Sequence, residues 1–132
     1  MLEKMCLFLM KTNKTHYKEI PFMSRIIDLV MIDNKATTTY ELKLKNWQKG
    51  IEQLKEQRIA TDYCYLCLPK NETSKKVMSK IIQELSFHGL GLCLWDDDKC
   101  KLITKIRAKK SETRSQFAND RLRESLVNYY AG

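Results

Sequence analysis

Arg25 to Gln53 reads RIIDLVMIDNKATTTYELKLKNWQKGIEQ and places Asp28, Glu41 and Lys43 inside an otherwise apolar hairpin. Asp28 stands among Ile26, Ile27, Leu29, Val30, Met31 and Ile32, a continuous apolar run of the kind shown by a strand buried on both faces. A carboxylate left unpaired there costs several kcal/mol or takes up a proton, so a buried acid normally has a cation, a donor or a metal beside it. Asp33-Asn34-Lys35 is polar, and Asn tolerates positive φ, which predicts a hairpin folding about Asn34-Lys35. A turn centred between those two residues sets Asp28 opposite Glu41, on one face; a three-residue turn would shift the register by one. Glu41 and Lys43 are two apart and share a face in either register. Two carboxylates and an ammonium at close quarters suit a hard cation such as Mg²⁺, commonly held by one or two carboxylates plus water and substrate phosphates. The other reading of the same three charges is a structural ion-pair cluster at a strand end.

Downstream, Lys45-Asn46-Trp47 opens a helical pattern in which Trp47, Ile51 and Leu54 fall at i, i+4 and i+7, with Gln53 on an adjoining face. Asn46 is its predicted N-cap. Asp62 to Pro69, DYCYLCLP, is a short apolar and aromatic run that reads as a strand. Strand, helix and strand at this spacing form a right-handed crossover joining parallel neighbours.

An acid, then E-x-K after a hairpin, then a helix carrying Gln, then a buried strand resembles the PD-(D/E)XK nuclease superfamily. The fuller string from Glu19 (E-I-P-F, R-I-I-D-L-V, Y-E-L-K-L-K-N-W) through Gln53 to Pro69 is similar to its small bacterial and phage members. Ile27 stands where the name-giving proline would be. The resemblance implies a restriction-endonuclease-like αβββαβ core with a mixed central sheet, here followed by an extra helix, a hairpin and a C-terminal helix in one α/β domain, 1–132. It implies a Mg²⁺-dependent nuclease, with Mn²⁺ able to substitute, whose usual substrate is DNA. Asp28, Glu41 and the carbonyl of Leu42 would hold the metal, Lys43 would serve the attacking water or the developing charge, and Gln53 would position the site. Many relatives add a glutamate from the first helix, for which Glu3 is the counterpart; a first-turn acid favouring the helix dipole is its simpler reading. Lys45 and Lys49 are the candidates for phosphate-backbone contacts, and Trp47 reads as core. Two alternatives keep the fold without this activity: a catalytically silent DNA-binding or assembly module, and a subunit active only in a larger complex.

The rest of the chain is consistent with a small α/β protein. It has 132 residues, 43% hydrophobic and 30% charged, with 24 Lys and Arg against 16 Asp and Glu for a net charge of +8. Such a surplus favours an anionic partner, nucleic acid before membrane. MLEKMCLFLM, residues 1–10, is too short to span a bilayer and lacks a signal-peptide cleavage site. It reads as a helix packing Met5, Phe8 and Leu9 on the sheet of a cytoplasmic protein. Lys11 to His16 reads as a polar loop and Tyr17 to Phe22 as an edge strand carrying Pro21. Glu19 is a solvent-facing acid or a further acid toward the site, and Arg25 a phosphate contact or a partner for Asp28.

Ser74 caps a predicted helix whose Val77, Met78, Ile81, Ile82 and Leu85 lead to Phe87. Strands from Gly89 to Trp95 and from Lys101 to Arg107 flank Asp96-Asp97-Asp98-Lys99, read as a solvated hairpin turn. A last helix carries Phe117, Leu122, Leu126 and Tyr129. The cations Arg107, Lys109, Lys110, Arg114, Arg121 and Arg123 are divided between a phosphate groove and a solvated face. Five cysteines, mostly in apolar runs, suit reduced thiols. Cys64-x-x-Cys67 lies on a strand, which sends positions three apart to opposite faces and disfavours a zinc knuckle. With little room for a separate recognition domain, a homodimer or larger complex is expected.

Overall fold

A computed structural model describes residues 1–11 and 15–131, without the side chains of 130 and 131. Its elements run α1 (Leu2–Met10), β1 (Thr15–Phe22), β2 (Arg25–Asp33), β3 (Ala36–Leu42), α2 (Trp47–Gln57), β4 (Tyr63–Pro69), α3 (Lys75–Phe87), β5 (Gly91–Asp96), β6 (Lys101–Ile106) and α4 (Gln116–Ala131). The six strands form one mixed sheet in sequence order. β1, β2 and β3 are an antiparallel meander, β3, β4 and β5 run parallel, and β6 returns antiparallel to β5. The parallel steps are the two strand-helix-strand crossovers through α2 and α3, which a hairpin loop is too short to make. Among the described residues, no helix is long and apolar enough to cross a membrane.

Side-chain alternation sorts the core into two layers. Leu29, Met31, Tyr40, Cys67, Cys93 and Trp95 pack with Met5, Cys6 and Leu9 under α1. On the opposite face Leu66, Leu68 and Leu92 pack with Ile51 and Leu54 of α2 and Ile81 and Leu85 of α3. On that same face Ile20, Ile27 and Val30 pack with Leu122 and Leu126 of α4. Between these last two clusters β3 contributes a buried polar row, Thr37, Thr39 and Glu41. The row is tied down by Asp62, whose Oδ2 accepts from the Thr37 backbone N–H at 2.8 Å and from Thr37 Oγ1 at 3.1 Å. Arg114 Nε pairs with Asp62 Oδ1 at 2.9 Å, and Asn119 Nδ2 donates to Thr37 Oγ1 at 3.0 Å and to the Ala60 carbonyl at 2.7 Å.

Several local expectations are corrected. β1 already includes Thr15 and His16, while residues 12–14 of the predicted polar loop lie outside the described residues. Asn46 occupies the N-cap position of α2 with φ 54° and makes no side-chain cap bond; it turns the chain out of β3 instead. Phe117 is 72% exposed and Tyr129 49% exposed. The inner stripe of α4 is Asn119, Leu122 and Leu126, and Asn119's buried hydrogen bonds fix a rotation that turns Phe117 outward. Ser74 does cap α3, accepting from the Val77 N–H at 3.3 Å.

Candidate active site

β2 and β3 pair in the register that a turn centred on Asn34-Lys35 requires: Asp33 faces Ala36, Val30 faces Thr39 and Leu29 faces Tyr40. Both turn residues have positive φ, 49° and 72°. The ladder stops at Leu29 and Tyr40, one step short of Asp28 and Glu41. There the Asp28 side chain takes over: its Oδ2 accepts the Leu42 backbone N–H at 2.8 Å. A carboxylate thus stands where the next strand carbonyl would have been.

Asp28 reaches that position because the β1–β2 ladder is interrupted there without a change of register. Between Lys18↔Leu29 and Ile20↔Ile27 both Glu19 and Asp28 drop out of the β1–β2 ladder, and Glu19 has φ 55°. Ile27 and Val30, three apart, both pack toward α4, whereas Leu29 packs toward α1. This local kink, one residue on each strand, takes the Asp28 side chain out of the regular alternation. Glu19 itself is exposed, and its charge acts on Cys6 on the α1 side. Glu3 is exposed on α1, which packs on the face of the sheet opposite Glu41, and this corrects its reading as a helper of the site.

Glu41 is 1% exposed. Its Oε2 accepts from Gln57 Nε2 of α2 at 2.8 Å, and the Asp28 carboxyl lies close enough to act on its charge. Burial pushes the Glu41 carboxyl up to about 8; the Asp28 carboxyl pushes the same way, while the Gln57 amide and the Lys43 charge pull it down. Two carboxyls this close favour a proton or a cation between them. Half-buried Lys43, the first residue after β3, supplies positive charge, and its stem lies across Gly50 of α2. A Cβ at Gly50 would stand 2.9 Å from Lys43 Cγ and 2.8 Å from Leu66 Cδ1, so this glycine lets α2 dock closely enough to hold Lys43.

Gln53, the expected positioning residue, is half-buried, and no protein donor reaches its buried Oε1. The glutamine that touches Glu41 is Gln57, one turn later. The signal was present as two glutamines at i and i+4 on one face of α2. The outer Oε1 of Gln57 is likewise buried with no protein donor, so the surroundings of the carboxylate pair are rich in acceptors. Among the described residues no group of three or more His, Cys, Asp or Glu side chains gathers at a point. The oxygens gathered there, the Asp28 and Glu41 carboxylates and a glutamine amide, are of the kind that suits Mg²⁺ and not zinc. Cys64 and Cys67 pack on opposite faces of β4.

Arg25 pairs with Glu56 of α2, Nε to Oε2 at 2.7 Å, and not with Asp28. Lys45 and Lys49 are exposed at the entry and in the first turn of α2. Of the C-terminal cations, Arg114 belongs to Asp62, and Arg123 Nε donates to Asn119 Oδ1 at 2.9 Å while its Nη2 binds the Lys35 carbonyl of the β2–β3 turn. Both are structural. The Asp96 side chain is also structural, accepting from Lys70 Nζ at 3.3 Å and from the Lys99 N–H at 3.1 Å.

No protein-family model matches this chain, and no curated protein matches it. Among solved structures it is similar to the SPO1766 protein of unknown function from Silicibacter pomeroyi, with a TM-score of 0.71 and 12% sequence identity over 98% of this chain and 84% of that one. At that identity the likeness is one of fold.

Proposed function

We propose that the chain is a metal-dependent nuclease of PD-(D/E)XK type, restriction-endonuclease-like in fold, acting on phosphodiester bonds of DNA. The observation that carries this reading is the Asp28 carboxylate, held by the Leu42 N–H where β2 and β3 part, beside buried Glu41 and with Lys43 packed against α2 on the Glu41 side. The α1, three-strand meander, α2 and parallel β4 order supports it as well. Asp28 is oriented by the Leu42 N–H and Glu41 by Gln57, so each carboxylate is held by a neighbour that leaves oxygen lone pairs over. Asp28, Glu41 and the Leu42 carbonyl would hold Mg²⁺ or Mn²⁺. A divalent cation bound there supplies a Lewis acid for the scissile phosphate and lowers the pKa of a water. Lys43 offsets charge developing on the phosphate or orients the attacking water. Lys45 and Lys49 meet the nucleic-acid backbone.

The test is incubation of wild type and of Asp28→Ala, Glu41→Ala and Lys43→Ala with supercoiled plasmid, linear duplex, single-stranded DNA and RNA, each with Mg²⁺, Mn²⁺ or EDTA. Cutting that needs metal and is lost in all three variants is the expected result. A folded wild type that binds DNA without cutting it would replace this reading by a silent module or a subunit awaiting its partner.

A further inference from the structure

A second cluster of charge lies at the opposite end of the sheet, where β4 and β5 begin. A cavity of about 440 Å³ opens there, lined by Arg58, Lys109, Lys110, Ser111, His88 and Gly89 among others. That volume is in the range of small-molecule sites. The lysines are brought to it by the backbone. After β6 the chain bends back across the sheet end, where the Lys109 N–H donates to the Gly89 carbonyl at 3.0 Å and the Ser111 N–H to the Asp62 carbonyl at 2.8 Å. Ser111 Oγ also donates to the Arg58 carbonyl at 2.6 Å. The strap carrying Lys109 and Lys110 is therefore pinned on both sides of the cavity.

The acids nearby do not neutralise these cations. Asp62, which also lines the cavity, is committed to Arg114 and Thr37. Glu112 also lines the cavity but is exposed, and no described carboxylate makes an ion pair with Lys109 or Lys110. Arg58 spends one guanidinium nitrogen on the His88 carbonyl, at 3.3 Å, and a guanidinium carries five N–H donors. Three cations held around one concavity repel each other unless an anion joins them, and an Arg fork with two ammonium groups suits the tetrahedral oxygens of phosphate.

We propose that this cavity is a phosphate-binding site, distinct from the carboxylate pair and formed by Arg58, Lys109 and Lys110. It takes the phosphate of a free nucleotide or of a nucleic-acid strand. Its existence does not depend on the nuclease reading.

The experiment is a ¹H–¹⁵N titration of the full chain with inorganic phosphate, against chloride at matched ionic strength. Saturable shifts of the Gly89 and Ser111 amides are expected with phosphate alone. Affinity should fall about tenfold or more in Lys109→Ala/Lys110→Ala, since two charge-assisted contacts are lost, and again in Lys110→Glu. It should stay unchanged in Asp28→Ala and in the control Lys75→Ala/Lys76→Ala on α3. Absence of saturation, persistence of the shifts in the double variant, or an equal loss in the control would overturn the proposal. Because Asp28→Ala is included, failure here and failure of the nuclease reading are separate results. Titrations with 5′-dTMP and a single-stranded oligo-dT then identify the source: tighter binding of the oligomer than of dTMP marks a strand, and equal binding marks a free nucleotide.

Discussion

Gln57 Nε2 donates to Glu41 Oε2 at 2.8 Å across the interface between α2 and β3. This bond ties the last turn of a surface helix to a carboxyl buried in the sheet. It is the only direct helix-to-carboxylate hydrogen bond at the site among the described residues. Gln57→Leu keeps the volume and removes the donor. Cleavage should fall about 10–100-fold, as for other residues that orient a metal-binding side chain. The acid limb of the pH–rate profile should move upward, since the bond favours the ionised form of Glu41. An unshifted profile would reduce Gln57 to a packing residue.

The raised pKa of Glu41 fixes the sign of a pH effect on stability. A carboxyl that holds its proton up to about 8 in the folded chain, against an ordinary value of 4.5, stabilises the fold fully below 4.5 and loses that contribution as pH rises through 8. The contribution is limited to roughly 3–5 kcal/mol. Chemical denaturation between pH 5 and 9 should therefore show wild type losing stability while Glu41→Gln stays flatter. If Mg²⁺ binds the pair, its stabilising effect should be larger near pH 9 than near pH 6, because the cation competes with that proton. Equal Mg²⁺ effects in wild type and Glu41→Gln would place the ion elsewhere.

Gly50 is predicted to be a positioning residue for Lys43. Gly50→Ala puts a methyl against Lys43 Cγ and Leu66 Cδ1, an overpacking cost of about 1–3 kcal/mol reduced by up to about 1 kcal/mol of better helix propensity. Turnover should drop at unchanged substrate affinity, because Lys43 moves while the surface lysines do not. A variant as active as wild type would disconnect the α2 contact from Lys43 function.

The surface charges have their own test. With +8 on the chain, DNA affinity should fall steeply with salt, and Lys45→Ala or Lys49→Ala should each reduce the log–log slope by about one if that lysine meets a phosphate. Unchanged slopes in both would move the backbone contacts off the start of α2.

Asp62 separates stability from chemistry. Its carboxylate holds Thr37 and Arg114 together beneath α4, so Asp62→Ala leaves Arg114 without its partner and should cost roughly 3–5 kcal/mol. Denaturant midpoints should fall sharply, while the activity of the molecules still folded is retained. Loss of activity at full stability would contradict this assignment.

Much of the candidate site is local in the chain, and that part could be read from it. The Asn34-Lys35 turn sets the β2–β3 register because a strand's side-chain period is two, so that register followed from spacing, although the ladder ends at Leu29 and Tyr40 and does not pair Asp28 with Glu41 as expected. The choice between Gln53 and Gln57 did not follow. Both lie on one face of α2, and which of them meets Glu41 depends on how deep the helix docks, a depth set by the missing side chain of Gly50. Arg114 and Arg123 looked like surface cations until Asp62, Asn119 and the Lys35 carbonyl were brought to them from distant parts of the chain.

The sequence by itself determined the order of elements, the hairpin register and the nearness of three charged residues along one hairpin, because turn chemistry and the periods of strand and helix act over a few residues. Only the tertiary structure decided the kink that frees Asp28 from its ladder, the glutamine that holds Glu41, and the gathering of Arg58 with Lys109 and Lys110 around a cavity. These depend on contacts between segments tens of residues apart, whose geometry is set by packing and by the need to satisfy buried polar groups, and no local pattern encodes it.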